Sequence, residues 1–136
     1  MAETMTGSCK CGEVRYQIAE PIEFAANCHC NMCKKLTGGP FSSVAVVSQA
    51  GFAITQGQDQ VSSYAVSENA RRHFCRTCGS PIYLLHEKLP GRCMVALGTL
   101  DQPTAVTPAM NIHCENMLPW VREIMNRTNF DQGPSV

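Results

Sequence analysis

Two short stretches, Cys9-Lys10-Cys11-Gly12 and Cys75-Arg76-Thr77-Cys78-Gly79, carry most of what this chain says about its fold. Thiolates at such spacings are how short chains hold a soft, tetrahedral ion, and zinc is the commonest such ion. In an extended segment residues i and i+2 face the same way, so Cys9 and Cys11 are expected to aim together from a strand. Cys75 and Cys78 supply their pair from a tight turn. A glycine follows the second cysteine of each pair, where a positive φ avoids a Cβ clash and lets amides approach the sulfurs. One four-cysteine zinc would then tie the N-terminal segment to the middle of the chain.

A third cluster, Cys28-His29-Cys30-Asn31-Met32-Cys33, brings seven of the nine cysteines into account. Three thiolates leave one coordination position for water or an incoming thiol. A thiol on such an ion stays deprotonated near neutral pH and needs no separate base. Three anionic sulfurs also blunt the ion's Lewis acidity, so the site suits sulfur chemistry better than hydrolysis. The alternative is a second structural ion closed by a fourth protein ligand, for which the candidates are Cys93, Cys114, His29, His73, His86 and His113. In a strand His29 would point opposite Cys28 and Cys30, a poor co-ligand but a residue able to support one. Cys93 and Cys114 stand singly in apolar surroundings and read as small buried hydrophobes.

A chain of 136 residues fits one zinc-binding domain, with an ordered core over about 6–127 and a polar tail. The formal net charge is zero and the basic residues are scattered, which argues against a nucleic-acid partner. No apolar run approaches a membrane span. Residues 1–8 are polar, include Glu3 and lack the basic-then-apolar order of a signal peptide. The expected compartment is therefore a reducing cytoplasm, where clustered cysteines act as ligands. Disulfides would require very tight rings within the pairs, against demanding geometry. A redox Cys-x-x-Cys at 75–78 would want a surrounding βαβ pattern, and none is present.

Short alternating or β-branched segments dominate the rest. Strands are expected over 13–18, 44–47, 52–55, 61–66, 71–74, 82–85, 93–97 and 110–113, separated by Gly, Pro, Asn and Asp turn signals. Helix is expected only over 32–36 and 119–126, the latter opened by Pro119 with an apolar stripe through Trp120 and Ile124. The fold class is mainly β.

Taken in order, the motifs resemble the glutathione-dependent formaldehyde-activating enzyme family, which includes the centromere protein V type. The pieces are Gly7-Ser-Cys9-Lys-Cys11-Gly12-Glu-Val-Arg-Tyr16, Cys28-His29-Cys30-Asn-Met-Cys33-Lys-Lys-Leu-Thr-Gly38, Phe74-Cys75-Arg-Thr-Cys78-Gly79-Ser80, Gly98-Thr99-Leu100-Asp101 and Pro119-Trp120. The resemblance implies a β-tent of antiparallel sheets around a structural zinc on Cys9, Cys11, Cys75 and Cys78. It implies a second, catalytic zinc on Cys28, Cys30 and Cys33. The activity it implies is addition of glutathione to formaldehyde to give S-hydroxymethylglutathione, a carbon–sulfur lyase reaction run in reverse. Two departures stand out: Asn111-Ile112 occupies the place of a frequent His-Ile pair, with His113 displaced by two, and the chain lacks extra segments for a glutathione pocket.

Glutathione carries two carboxylates and an amine, so cationic side chains are expected near the open site. Lys34 and Lys35 follow the ligands directly, and Arg71 and Arg72 precede His73-Phe74-Cys75. An arginine would grip a carboxylate through two parallel hydrogen bonds and a lysine as a looser charge. Solvated surface charge is the plainer reading of all four. Two functions follow from the sequence: an enzyme acting on a small thiol and aldehyde, or a zinc-stabilised binding module or thiol sensor without turnover.

Overall fold

The computed structural model describes residues 4–134; residues 1–3 and 135–136 lie outside the described residues, and with them the start of the segment read above for a signal peptide. Among the described residues ten strands form two sheets. β1 (Met5–Ser8), β2 (Arg15–Ile18) and β5 (Phe52–Gln56) make the smaller, in the order β1-β2-β5. The larger sheet runs β10-β3-β4-β9-β8-β7-β6, with β3 Phe24–Cys28, β4 Ser42–Ser48, β6 Val61–Ala65, β7 Ala70–Cys75, β8 Pro81–His86, β9 Arg92–Ala96 and β10 Met110–Ile112. Every pairing is antiparallel except β10 on β3, which is parallel. The mainly β expectation holds. Among the described residues no helix is long and apolar enough to cross a membrane.

The core lies between the sheets. Tyr16 and Ile18 from the small sheet meet Val47, Cys75, Ile82, Cys93 and Val95 from the large one, all at 1% exposure or less. Tyr16 anchors this contact from both ends: its ring lies 5.3 Å from Phe52, and its hydroxyl hydrogen-bonds Thr99 Oγ1 at 2.7 Å. Burial of that hydroxyl pushes the Tyr16 pKa up to about 12.

Four expectations change. β1 and β3 were absent from the pattern because Met-Thr-Gly-Ser and Phe-Ala-Ala-Asn-Cys lack β-branched alternation; their tertiary partners make them strands. Cys9 and Cys11 do not sit in a strand. They occupy the turn between β1 and β2, where the Gly12 amide donates to the Cys9 carbonyl at 3.2 Å. Pro119–Asn126 forms 3-10 turns broken at Glu123 rather than one helix, and Trp120 and Ile124 remain exposed. The helix expected over 32–36 is present as α1 (Asn31–Thr37).

Candidate metal centres

Two hairpin turns, one from each sheet, build the four-cysteine group. In the β1–β2 turn the Cys9 amide donates to the Val14 carbonyl at 3.0 Å, and the Val14 amide donates to Cys9 Sγ at 3.3 Å. In the β7–β8 turn the Gly79 amide donates to the Cys75 carbonyl at 2.8 Å and the Cys75 amide to the Ser80 carbonyl at 3.0 Å. Gly12 and Gly79 adopt φ of 83° and 79°, the left-handed conformation expected of them. Ser80 joins the turns: its Oγ accepts from the Lys10 amide at 3.0 Å and lies 3.2 Å from Cys78 Sγ.

The resulting sulfur spacing fits a tetrahedral ion. Cys9 Sγ lies 3.5 Å from Cys11 Sγ, and Cys11 Sγ lies 3.8 Å from Cys75 Sγ; all four sulfurs fall within 4.8 Å of one another. Four sulfurs around an ion with bonds of about 2.3 Å would sit about 3.8 Å apart, whereas a disulfide needs about 2.05 Å. The electrostatics agree. Hydrogen bonds from the Ser80 hydroxyl and amide pull Cys78 down to about 5. Cys11 receives a favourable hydrogen bond from the Glu13 amide, yet desolvation and the thiols of Cys9, Cys78 and Cys75 push it up to about 12. Four thiols this close cannot all ionise without a cation to share their charge.

The second group forms where β3 ends and α1 begins. Cys28 is the last residue of β3, Cys30 caps α1 by accepting from the Cys33 amide at 3.2 Å, and Cys33 sits in its first turn. The three sulfurs lie within 4.8 Å of one another, and among the described residues no other Cys, His, Asp or Glu joins either group. Burial raises Cys28 and Cys33, and the neighbouring thiols of Cys30 and Cys28 add to the rise at Cys33. Burial acts the same way on Cys30, but hydrogen bonds from the Cys33 thiol and amide outweigh it and bring Cys30 below the ordinary thiol value. This donor set too could hold a metal ion.

The alternative fourth ligands are engaged elsewhere. Cys93 is a core residue at 1% exposure. His29 Nε2 pairs with Asn111 Oδ1 at 3.1 Å, and His73 stacks on Tyr83 at 4.2 Å. His86 Nδ1 accepts from the Lys88 amide at 3.0 Å, His113 faces Glu115 at 3.5 Å, and the Cys114 thiol points to the Asn111 carbonyl at 3.5 Å.

Register places both groups at one end of the large sheet. Cys28 pairs with Ser42 at the start of β4, and Ala96 at the end of β9 pairs with Val44. Phe74, beside Cys75, pairs with Pro81 at the start of β8. From β3 to β7 are four strand steps, about 19 Å along a sheet of 4.8 Å spacing. The same count bears on the basic residues. Arg71 and Arg72 lie on β7, so the fold does not bring them to the tri-thiol group on β3 and α1. Arg71 donates to Ser63 Oγ at 2.9 Å, and Arg72 covers the Phe74 ring at 4.9 Å. Lys34 donates to the Asn116 carbonyl at 2.6 Å, which holds α1 to the turn after β10, while Lys35 is exposed. Ser80, Asn111 and Asn116 were not among the sequence candidates. Ser80 carried a signal in its place directly after a Cys-x-x-Cys-Gly turn, and Asn111 one in its departure from the His-Ile pair; Asn116 carried none.

Residues 4–116 match the family profile described as "Glutathione-dependent formaldehyde-activating enzyme". A Halomonas elongata protein named "Putative glutathione-dependent formaldehyde-activating enzyme" is 27% identical over 130 residues, covering 90% of this chain and 82% of its own length. An Aspergillus terreus protein of the same name is 35% identical over 75 residues, 52% of this chain and 38% of that one. The crystal structure of a Rhodobacter sphaeroides protein superposes with a TM-score of 0.65 at 21% identity, covering 79% of this chain and 99% of the other; that likeness concerns the fold.

Proposed function

The chain belongs to the glutathione-dependent formaldehyde-activating enzyme family, and on that premise we propose that it is a cytoplasmic zinc enzyme of the carbon–sulfur lyase type. Its reaction joins a small thiol to a small aldehyde, and glutathione with formaldehyde is the pair the family name supplies. One zinc on Cys9, Cys11, Cys75 and Cys78 holds the two sheets together as one domain. A second on Cys28, Cys30 and Cys33 serves the chemistry.

The observation that carries this reading is the unequal donor count: four thiols in one group, three in the other, with no fourth protein ligand near the three among the described residues. Zinc held on the three thiolates supplies positive charge that keeps an incoming thiol ionised near neutral pH. The chain's own residues do the rest. The Cys33 amide donates to Cys30 Sγ and steadies negative charge there. Lys34, tied to Asn116, fixes α1 against the neighbouring turn. Lys35, exposed on α1 but turned from Cys33 by the helical spacing, is the remaining cation for a glutathione carboxylate, one that extends beyond the thiol face of the helix. Arg71 and Arg72 take no part, being four strands away.

In the overall reaction the thiol sulfur bonds to the aldehyde carbon, the carbon–oxygen π pair moves to oxygen, and the proton that left sulfur ends on that oxygen. Holding both reactants together supplies the proximity term. The test is the rate at which isotopically labelled formaldehyde and glutathione form S-hydroxymethylglutathione, followed by NMR against the uncatalysed reaction. Acceleration that disappears in Cys30→Ser supports the reading. No acceleration by protein carrying two zinc ions would reject it and leave a zinc-stabilised binding module.

A further inference from the structure

Three bonds tie β10 and the turn after it to the segment carrying the three thiols. The His29 amide donates to the Ile112 carbonyl at 3.0 Å, the His29 ring pairs with Asn111, and Lys34 Nζ donates to the Asn116 carbonyl. His29 is the residue between Cys28 and Cys30, so whatever fixes its backbone and ring also fixes the spacing of those two sulfurs. Its side chain is buried at 1% exposure, with the Phe41 ring packed 5.0 Å away.

The polar row beside it sets the direction of each hydrogen bond. Asn111, Asn27 and Ser43 are in-register partners across β10, β3 and β4, so their side chains share one face. Ser43 Oγ donates to Asn27 Oδ1 at 2.6 Å. That turns the Asn27 amide nitrogen toward Asn111 Oδ1, to which it donates at 3.2 Å. The same Asn111 oxygen faces His29 Nε2 at 3.1 Å, so the ring proton belongs on Nε2. Nδ1 is then an acceptor, and it is buried without a partner among the described residues.

We infer that Asn111 is a positioning residue for the tri-thiol site: by accepting the Nε2–H of His29 it fixes that ring, and through it the Cys28–Cys30 spacing that retains the metal. The inference rests on the proposed zinc at that site. Partners that hydrogen-bond a metal ligand itself are worth about 10–100-fold in affinity; Asn111 acts one residue further out, through His29, so the lower end of that range applies. An Asn111→Leu protein keeps the shape but cannot accept the hydrogen bond, so it should lose the tri-thiol zinc to a competing chelator about 10-fold more readily. The four-cysteine zinc, five strand steps from Asn111 along the large sheet, should be released as in the parent. Asn111→Asp restores an acceptor and should restore retention.

The experiment joins chelator competition on zinc-loaded parent, Asn111→Leu and Asn111→Asp with 15N shifts of the histidine rings. The expected shifts show His29 protonated on Nε2 in the parent and the Asp variant, and a mixture of tautomers in the Leu variant. Equal zinc retention in Asn111→Leu, or a parent ring protonated on Nδ1, overturns the inference; the second measurement stands even if the Leu variant folds poorly. A parent that holds no ion on the three thiols instead rejects the proposed function, and the retention role with it. The ring shifts then still decide whether Asn111 fixes the tautomer.

Discussion

If the four-cysteine group is the tie between the two sheets, stability must depend on free zinc. Cys9 and Cys11 stand in a turn of the small sheet, Cys75 and Cys78 in a turn of the large one, and Cys11 and Cys75 are 64 residues apart. A cross-link over that length removes about 4 kcal/mol of freedom from the unfolded chain. The full binding free energy of a structural zinc, about 10–16 kcal/mol, rivals the whole stability of a domain. The assay is thermal unfolding by circular dichroism in zinc-buffered solutions, using Cys30→Ser to remove the second site. Each tenfold rise in free zinc should add about 1.4 kcal/mol, which for a chain of this size is about 5 °C in Tm. Adding Cys75→Ser should abolish the dependence and leave protein largely unfolded. A Tm that ignores free zinc across several decades would refute the reasoning.

Cys30→Ser alone should fold cooperatively and hold one zinc ion instead of two, read by metal analysis after gel filtration; retention of both would place the second ion elsewhere. Arg71→Ala and Arg72→Ala should leave the KM for glutathione unchanged, whereas Lys35→Glu should raise it several-fold; the opposite pattern in steady-state kinetics would undo the placement of the substrate beside α1. Burial raises the Tyr16 pKa to about 12, above its ordinary value near 10, so between those values the folded state keeps a proton that the unfolded chain has lost. Stability should be fully present below pH ~10 and fall from there toward pH ~12. Tyr16→Phe should flatten that decline in denaturant titrations and, by losing the Thr99 hydrogen bond, cost about 1 kcal/mol at neutral pH.

Much of this was legible because thiol clusters and turn chemistry are local. The Cys-x-x-Cys-Gly turn at 75–79 and the left-handed Gly12 and Gly79 follow from a handful of adjacent residues. Short segments of apolar, aromatic and β-branched residues such as 61–66 and 82–85 declare their strands. What stayed hidden depends on distant partners. Phe24–Cys28 becomes a strand because β4 and β10 flank it, despite its two alanines and asparagine. Arg71 and Arg72 were expected near the open site, but their strand β7 lies four strand steps from β3, a distance set by sheet order that no local motif reveals. Asn111 stood out only as a departure from the family's His-Ile pair, with no role attached; the parallel pairing of β10 with β3 is what sets it against His29.

The central claim, that three thiolates hold an ion able to accept a substrate thiol, is tested most directly by optical spectroscopy of the cobalt-substituted protein. Two cobalt ions per chain are expected, and glutathione should alter the thiolate-to-metal charge-transfer bands of one of them as a fourth sulfur enters its coordination sphere. In Cys30→Ser only the unresponsive spectrum of the four-cysteine site should remain. A parent spectrum unchanged at saturating glutathione would contradict the account.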